Sequence, residues 1–347
     1  MDPFADHAEN PEIYILCMHL SPIYAVPLYV IAAYCITHVS PPQMAFYRWV
    51  LLYYTVISLI AELTLNVGTT PVIHMGALGG YPRGLLRYLG ISTSAQFAAI
   101  LISALVQSVC NVMLIYYCYD AILPPSHILK LKPFARNFLF IFSKAFVTIF
   151  VIVYAQFLIP YQNDAKTRLR QKYPSVPSYM LTNDALIIDD PTYSYVWLIA
   201  TISIVVVIEV VLMIAMTTYC FYCMSRGNGH HCQKTLAIRR KFLISIVMQM
   251  LTHLIVLLVP ALILMYCACM KISSQDVTDW CIFLITIHGS VGVLTMLLSN
   301  KYYRSELIVI IMKPRCIYGR HATKVVKLEE STRSDTRAVI KNNSWHK

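Results

Sequence analysis

VWLIATISIVVVIEVVLMIAMTTYCFY, residues 196–222, carries a single charged side chain, Glu209. A hydrocarbon core of about 30 Å is crossed by about 20 apolar residues in helix, because lipid offers the backbone no hydrogen-bond partner outside the segment itself. The stretch therefore reads as a membrane span. Working outward, six more runs of the same kind lie at 13–37, 49–66, 95–119, 138–159, 242–270 and 280–300. The composition agrees. Of 347 residues, 58% are hydrophobic and 13% charged, with mean hydropathy +0.60, whereas a water-soluble domain carries about a quarter charged residues. The expected fold is an all-α membrane protein, a seven-transmembrane helix bundle.

The net charge of +11 is read first as a topology signal. The N-terminus and the second, fourth and sixth connections hold 7 Lys/Arg and 10 Asp/Glu; the other connections and the tail hold 20 and 5. The positive-inside rule then places the N-terminus outside and the C-terminus in the cytoplasm. Without the tail the basic residues divide only 7 to 9. The acidic N-terminus, with Asp2, Asp6, Glu9 and Glu12, favours the same orientation. The expected division is an extracellular N-terminus over 1–12, the helix bundle over 13–304 and a cytoplasmic tail over 305–347. Charge sorted in this way gives little reason to expect nucleic acid as a partner.

A charge at mid-bilayer costs at least about 2.5–3.5 kcal/mol, so polar groups within the spans carry information. The charged ones are Glu62, Lys144 and Glu209. Glu209, amid Ile and Val, is expected to face the bundle. Lys144 lies near enough to the inner end of its span to snorkel to the cytoplasmic interface. Gln249 and His253 are four apart and share a helical face. His288 lies in the middle third of the seventh span. Two readings stand for Glu209, His253, Gln249, His288 and Glu62: a ligand pocket or switch inside the bundle, or interhelical hydrogen bonds that fix packing. Pro260 frees a carbonyl in the sixth span and offers a pivot. No nucleophile, paired acids or phosphate-cradling loop stands out, so neither an enzyme nor a cofactor is expected.

The cysteines are placed at both ends of the spans. On the outer side a bridge from Cys281 to Cys267 or Cys269 stays open as an alternative to free thiols. On the inner side Cys220, Cys223, Cys232, His230 and His231 invite a zinc reading, although the spacing is shorter than common zinc modules use; juxtamembrane thiols are the better reading. The outer segment 160–195 is polar and charge-balanced, and a solvated loop is preferred over a lid. On the inner side Lys130, Lys132 and Arg136, with Arg239, Arg240 and Lys241, ring the base of the bundle, where a protein partner or anionic membrane lipids would be attracted. Residues 305–312 are apolar almost all round and are expected to form a short interfacial helix, with Cys316 beyond it as a lipidation candidate.

Four stretches together resemble the nematode serpentine chemoreceptors of class H, with the related class I as a near neighbour. They are PVIHMGALGGYPRGLLRYL at 71–89; Ile159-Pro-Tyr-Gln with Ala165-Lys166 and Tyr173-Pro174; Arg240-Lys-Phe-Leu-Ile with Gln249 and Pro260; and Ile287-His-Gly followed by Thr295, Leu298, Tyr303 and Arg304. The resemblance implies a G-protein-coupled chemosensory (olfactory-type) receptor in the plasma membrane of sensory cilia. Its partners would be a small odorant or pheromone outside and a heterotrimeric G protein inside. Gln249, His288, Gly289, Tyr303 and Arg304 match family positions, the last two on the G-protein-facing side. Two departures stand out. The third span ends Ile115-Tyr-Tyr-Cys-Tyr-Asp120 without the Arg that usually follows the acid, and Ser175 replaces a cysteine of the long outer loop. The competing classes are a ligand-gated channel or transporter subunit and a non-signalling membrane scaffold.

Overall fold

A computed structural model describes residues 8–40, 47–75, 78–123, 130–158, 161–188, 195–225, 233–270 and 272–312. Among them seven helices are long and apolar enough to cross a membrane. They are α1 (Glu12–Tyr34), α2 (Tyr47–Leu63), α4 (Thr93–Ile122), α5 (Pro133–Leu158), α7 (Tyr195–Ser225), α8 (Gln233–Met270) and α9 (Gln275–Ser299). Each overlaps most of one of the expected spans. The seventh begins five residues earlier than the apolar run, so Asp276 and Asp279 fall in its first turns. π-helical turns at Cys35–Val39 and Thr64–Thr69 extend α1 and α2.

Two helices organise the bundle. α9 packs on α1, α2 and α8, and α4 packs on α2, α5 and α7. The main core gathers between them, with Tyr29, Leu51, Leu114, Met250, Val293 and Leu297. α7 lies at the periphery: Ile204, Val207, Ile208, Val211 and Leu212 are all exposed. In water such a stripe would be unstable; in lipid it is the outer surface of the bundle.

The end of the bundle that holds the second and fourth connections departs from the sequence expectation. The stretch 71–89 forms a hairpin, β1 (Pro71–His74) and β2 (Gly79–Pro82), followed by a one-turn helix α3 (Leu85–Tyr88). Segment 160–195 is folded over its described part, with α6 (Gln162–Lys172), a 3-10 turn and β3 (Leu186–Ile187). β3 pairs antiparallel with β2, Gly79 opposite Ile187. The preferred reading of a solvated loop is therefore corrected: this is a lid. Its polarity misleads because α6 is polar on most sides and buries only Ala165 and Leu169. Those two join Val72, Tyr81, Met180 and Ile187 in a second small core that also takes Tyr14 and Met18 of α1 and Ile282 of α9. Gly80 is required in the sheet, where a Cβ would stand 2.5 Å from the Val72 carbonyl oxygen.

Side chains tie the lid down. Gln162 Nε2 donates to the Ile187 carbonyl while its Oε1 accepts from the Ile187 N–H. Arg87 pairs with Asp184 at 2.7 Å, and Arg83 with Glu9 at 2.8 Å. Burial raises the Tyr81 phenol well above its usual value, and the neutral hydroxyl donates to the Glu9 carbonyl. Nine cysteines are described and all nine are free thiols, including Cys267, Cys269 and Cys281, so the outer bridge does not form.

The interfacial helix is present as α10 (Lys301–Met312). It folds back on the π turn that ends α1. Tyr303, 1% exposed, shares a 2.7 Å hydrogen bond with the Ser40 hydroxyl, and burial pushes its phenol up to about 12. Cys316 lies outside the described residues.

Candidate functional site

The polar residues of the spans form a belt across the bundle. Its middle is Glu62, 1% exposed, on α2. Glu62 Oε2 accepts from the Tyr29 hydroxyl of α1 at 3.0 Å and from the Ser290 backbone N–H of α9 at 3.0 Å. Gly289 makes this contact fit. A Cβ there would stand 2.6 Å from Tyr29 Oη and 3.3 Å from both Glu62 Oε2 and Ser58 Oγ. The glycine of the Ile287-His288-Gly289 stretch is therefore needed where three oxygens from two helices converge on α9.

One turn earlier on α2, Ser58 Oγ accepts from Gln107 Nε2 of α4 at 2.6 Å. The next residue of α4 reaches the opposite way: Ser108 Oγ donates to Glu209 Oε2 of α7. Gln107 and Ser108 thus tie α4 to Ser58 of α2 on one hand and to the half-buried Glu209 of α7 on the other. Asn111, 2% exposed and one turn further on, also acts on Glu209. The belt couples α1, α2, α4, α7 and α9. Chemically it is a set of hydrogen-bond acceptors held against hydroxyls and amides, suited to exchanging partners with a polar group rather than to bond-making.

The five residues picked from the sequence are not gathered in one place. Glu62 and Glu209 belong to the belt, one on α2 and the other on α7. His288 turns to the Ile285 carbonyl of its own helix. Gln249 of α8 is fully buried, packs near Gly292, and has no hydrogen-bond partner for its amide N or O among the described residues. The His253 side chain lies outside the described residues. Tyr29, Ser58, Gln107, Ser108 and Ser290 were missed. The rule that singled out Gln249, an amide inside an apolar run, would also have found Gln107 and Asn111.

Where α4 ends and α5 begins, Asp120 of α4 pairs with Arg136 of α5 at 3.2 Å, the side chains being 16% and 13% exposed. Arg136 also lies over the Tyr117 ring, 4.6 Å from its centroid. The cation missing after the acid is thus supplied from the next helix, and Arg136 is turned inward rather than outward. Lys130 is likewise engaged, with the Leu123 carbonyl at 3.1 Å. Lys132, Arg240 and Lys241 are exposed; the Arg239 side chain lies outside the described residues. Tyr303 is buried beneath α10 and so is not part of an outward surface, while Arg304 is exposed and donates to the Leu298 carbonyl.

The Lys144 Nζ crosses to α2, where it donates to the Tyr53 hydroxyl at 3.1 Å and lies 4.2 Å from the ring centroid. Of the zinc candidates, Cys220 and Cys223 sit at the inner end of α7, while His230, His231 and Cys232 lie outside the described residues. Among the described residues no group of three or more His, Cys, Asp or Glu is placed to hold a metal.

Comparison with known proteins gives one family. The serpentine type 7TM GPCR chemoreceptor family Srh matches residues 9–313, from the strapped N-terminus through α10. No curated protein matches the chain.

Proposed function

The chain belongs to the serpentine 7TM GPCR chemoreceptor family Srh, and on that premise we propose that it detects a small odorant or pheromone outside a nematode sensory neuron and signals to a heterotrimeric G protein inside. The N-terminus is outside and the C-terminus cytoplasmic, as the charge distribution of −3 and +15 across the two sides supports. The plasma membrane of sensory cilia is its place of work. The observation that carries the reading is the polar belt. Ser58, one turn from Glu62 on α2, and Glu209 of α7 meet consecutive residues of α4, Gln107 and Ser108, so a ligand that takes over an acceptor on one side alters the packing of α4 on the other. Such a ligand favours one arrangement only by its differential affinity for the two.

At the base, Lys132, Arg240, Lys241 and Arg304 are exposed cations that suit an acidic or amphipathic segment of a G protein. Asp120 and Arg136 hold the ends of α4 and α5 together beside them. That pair weakens the scaffold reading, which rested on an absent cation.

Ligand-panel screening in transfected cells with a calcium or cGMP readout tests the receptor reading. Glu209→Gln at equal surface expression is expected to lower the response to any activating ligand by about tenfold or more, the size of one lost charge-assisted hydrogen bond. An unchanged response removes Glu209 from the site. Epitopes at the two termini, probed on intact cells, test the topology: an N-terminus reached only after permeabilisation sinks the receptor orientation and favours a channel or transporter subunit.

A further inference from the structure

α2 and α5 both pack on α4. The described hydrogen bond that joins α2 to α5 is the one from Lys144 to Tyr53, above the buried Cys110 of α4. On the α2 side Trp49, Tyr53, Val56 and Ile60 lie on one helical face, 54%, 39%, 45% and 52% exposed. Arg48 folds its guanidinium over the Trp49 ring, 5.3 Å from the centroid, and its Nε is buried without a hydrogen-bond partner among the described residues. Arg48 and Tyr53, the partner of Lys144, are five positions apart on α2, about 7–8 Å along its axis. Neither forms an ion pair with a described carboxylate; the ion pairs there are Arg83–Glu9, Arg87–Asp184 and Arg136–Asp120.

We infer that this exposed face of α2, with Lys144 reaching it from α5, is a binding site for an anionic phospholipid of the leaflet at the Arg48 end of α2, the cytoplasmic one in the topology proposed above. Two uncompensated cations face hydrocarbon and interface, one at headgroup depth and one deeper. A lipid phosphate meets Arg48, and the glycerol ester oxygens below it reach Lys144 Nζ. The acyl chains lie along Val56 and Ile60. Trp49 and Tyr53 supply the aromatic surface that such interfaces favour. A zwitterionic lipid carries no net charge and gains less from the two cations than one with a net negative headgroup. The site is separate from the belt and does not depend on the identity of an odorant or G protein.

Trp49 is a built-in reporter. The full chain carrying Trp197→Phe, Trp280→Phe and Trp345→Phe is reconstituted in phosphatidylcholine nanodiscs. A small, equal mole fraction of lipid brominated near the ester end is added, as phosphatidylserine or as phosphatidylcholine. The serine lipid is expected to be enriched at Trp49 about fivefold per cation, giving clearly stronger quenching. Lys144→Gln and Arg48→Gln each remove most of that preference, Lys144→Arg keeps it, and Lys132→Gln, at the exposed start of α5, leaves it unchanged. If Lys144→Gln does not fold, Arg48→Gln alone decides. Equal quenching by the two lipids in the parent protein overturns the proposal. So does an equal loss in Lys132→Gln, which marks diffuse surface charge, or stronger quenching by a brominated sterol, which marks a neutral-hydroxyl site.

Discussion

Gly289 concentrates the residue-scale argument. Adding one methyl group there drives a Cβ to 2.6 Å from Tyr29 Oη, and the cheapest escape is to break the Tyr29–Glu62 hydrogen bond. Gly289→Ala is expected to cost about 1–3 kcal/mol, as overpacking does, seen as a lower Tm of the purified protein. Tyr29→Phe removes the clashing oxygen, so the double variant should lose less than the sum of the two singles. Strict additivity would show that the two do not share a site. The sequence made the two acids within the spans legible, because a carboxylate in an apolar run must find partners inside the bundle. It did not make the hydroxyls and amides legible. Ser58 and Ser108 scarcely change the hydropathy of their spans, and their partners depend on helix rotation, which a run without polar periodicity does not encode. Lys144 shows the converse: its depth was readable, yet its direction was set by Tyr53 on a helix 91 residues away.

At the scale of elements, the seven spans were readable because length and apolarity suffice in lipid. The end of α9 was not, since Asp276 and Asp279 sit in a helix whose hydropathy they lower. The ends of α4 and α5 owe their pairing to Asp120 and Arg136. Arg136→Gln leaves a mostly buried acid unpaired, and a loss of about 1–2 kcal/mol is expected. If the pair also shapes the inner face, Arg136→Gln should reduce coupling at equal ligand affinity, whereas Lys132→Gln should reduce neither stability nor affinity. α10 was legible as an apolar run but not as an anchored helix. Tyr303 read as an outward residue, and it is instead the bolt that fastens α10 to the end of α1. Tyr303→Phe removes the bond to Ser40 at a cost of about 1 kcal/mol, measurable as earlier hydrogen exchange in α10 than in α9.

The whole molecule is a bundle closed at one end by a small folded cap. Its hairpin lies in the same stretch, 71–89, that carries part of the family resemblance. The strand that completes it, β3, comes from about a hundred residues later, and two residues of pairing leave no periodic trace in the sequence. The segments 67–94 and 160–195 that build the cap contain no cysteine, and its closure rests on hydrogen bonds, a small core and two partly exposed ion pairs. Added reductant is expected to leave the ligand response and the amide protection of Ile187 unchanged. Raising the salt should loosen the cap slightly, by no more than about 1 kcal/mol per exposed pair, read as faster exchange at Ile187 while the spans stay protected. The consequence is a clasp indifferent to the redox state of its surroundings: thiol-rich secretions that would unpick a covalent staple leave this outer face in shape, and the ionic strength of the medium sets how readily it yields.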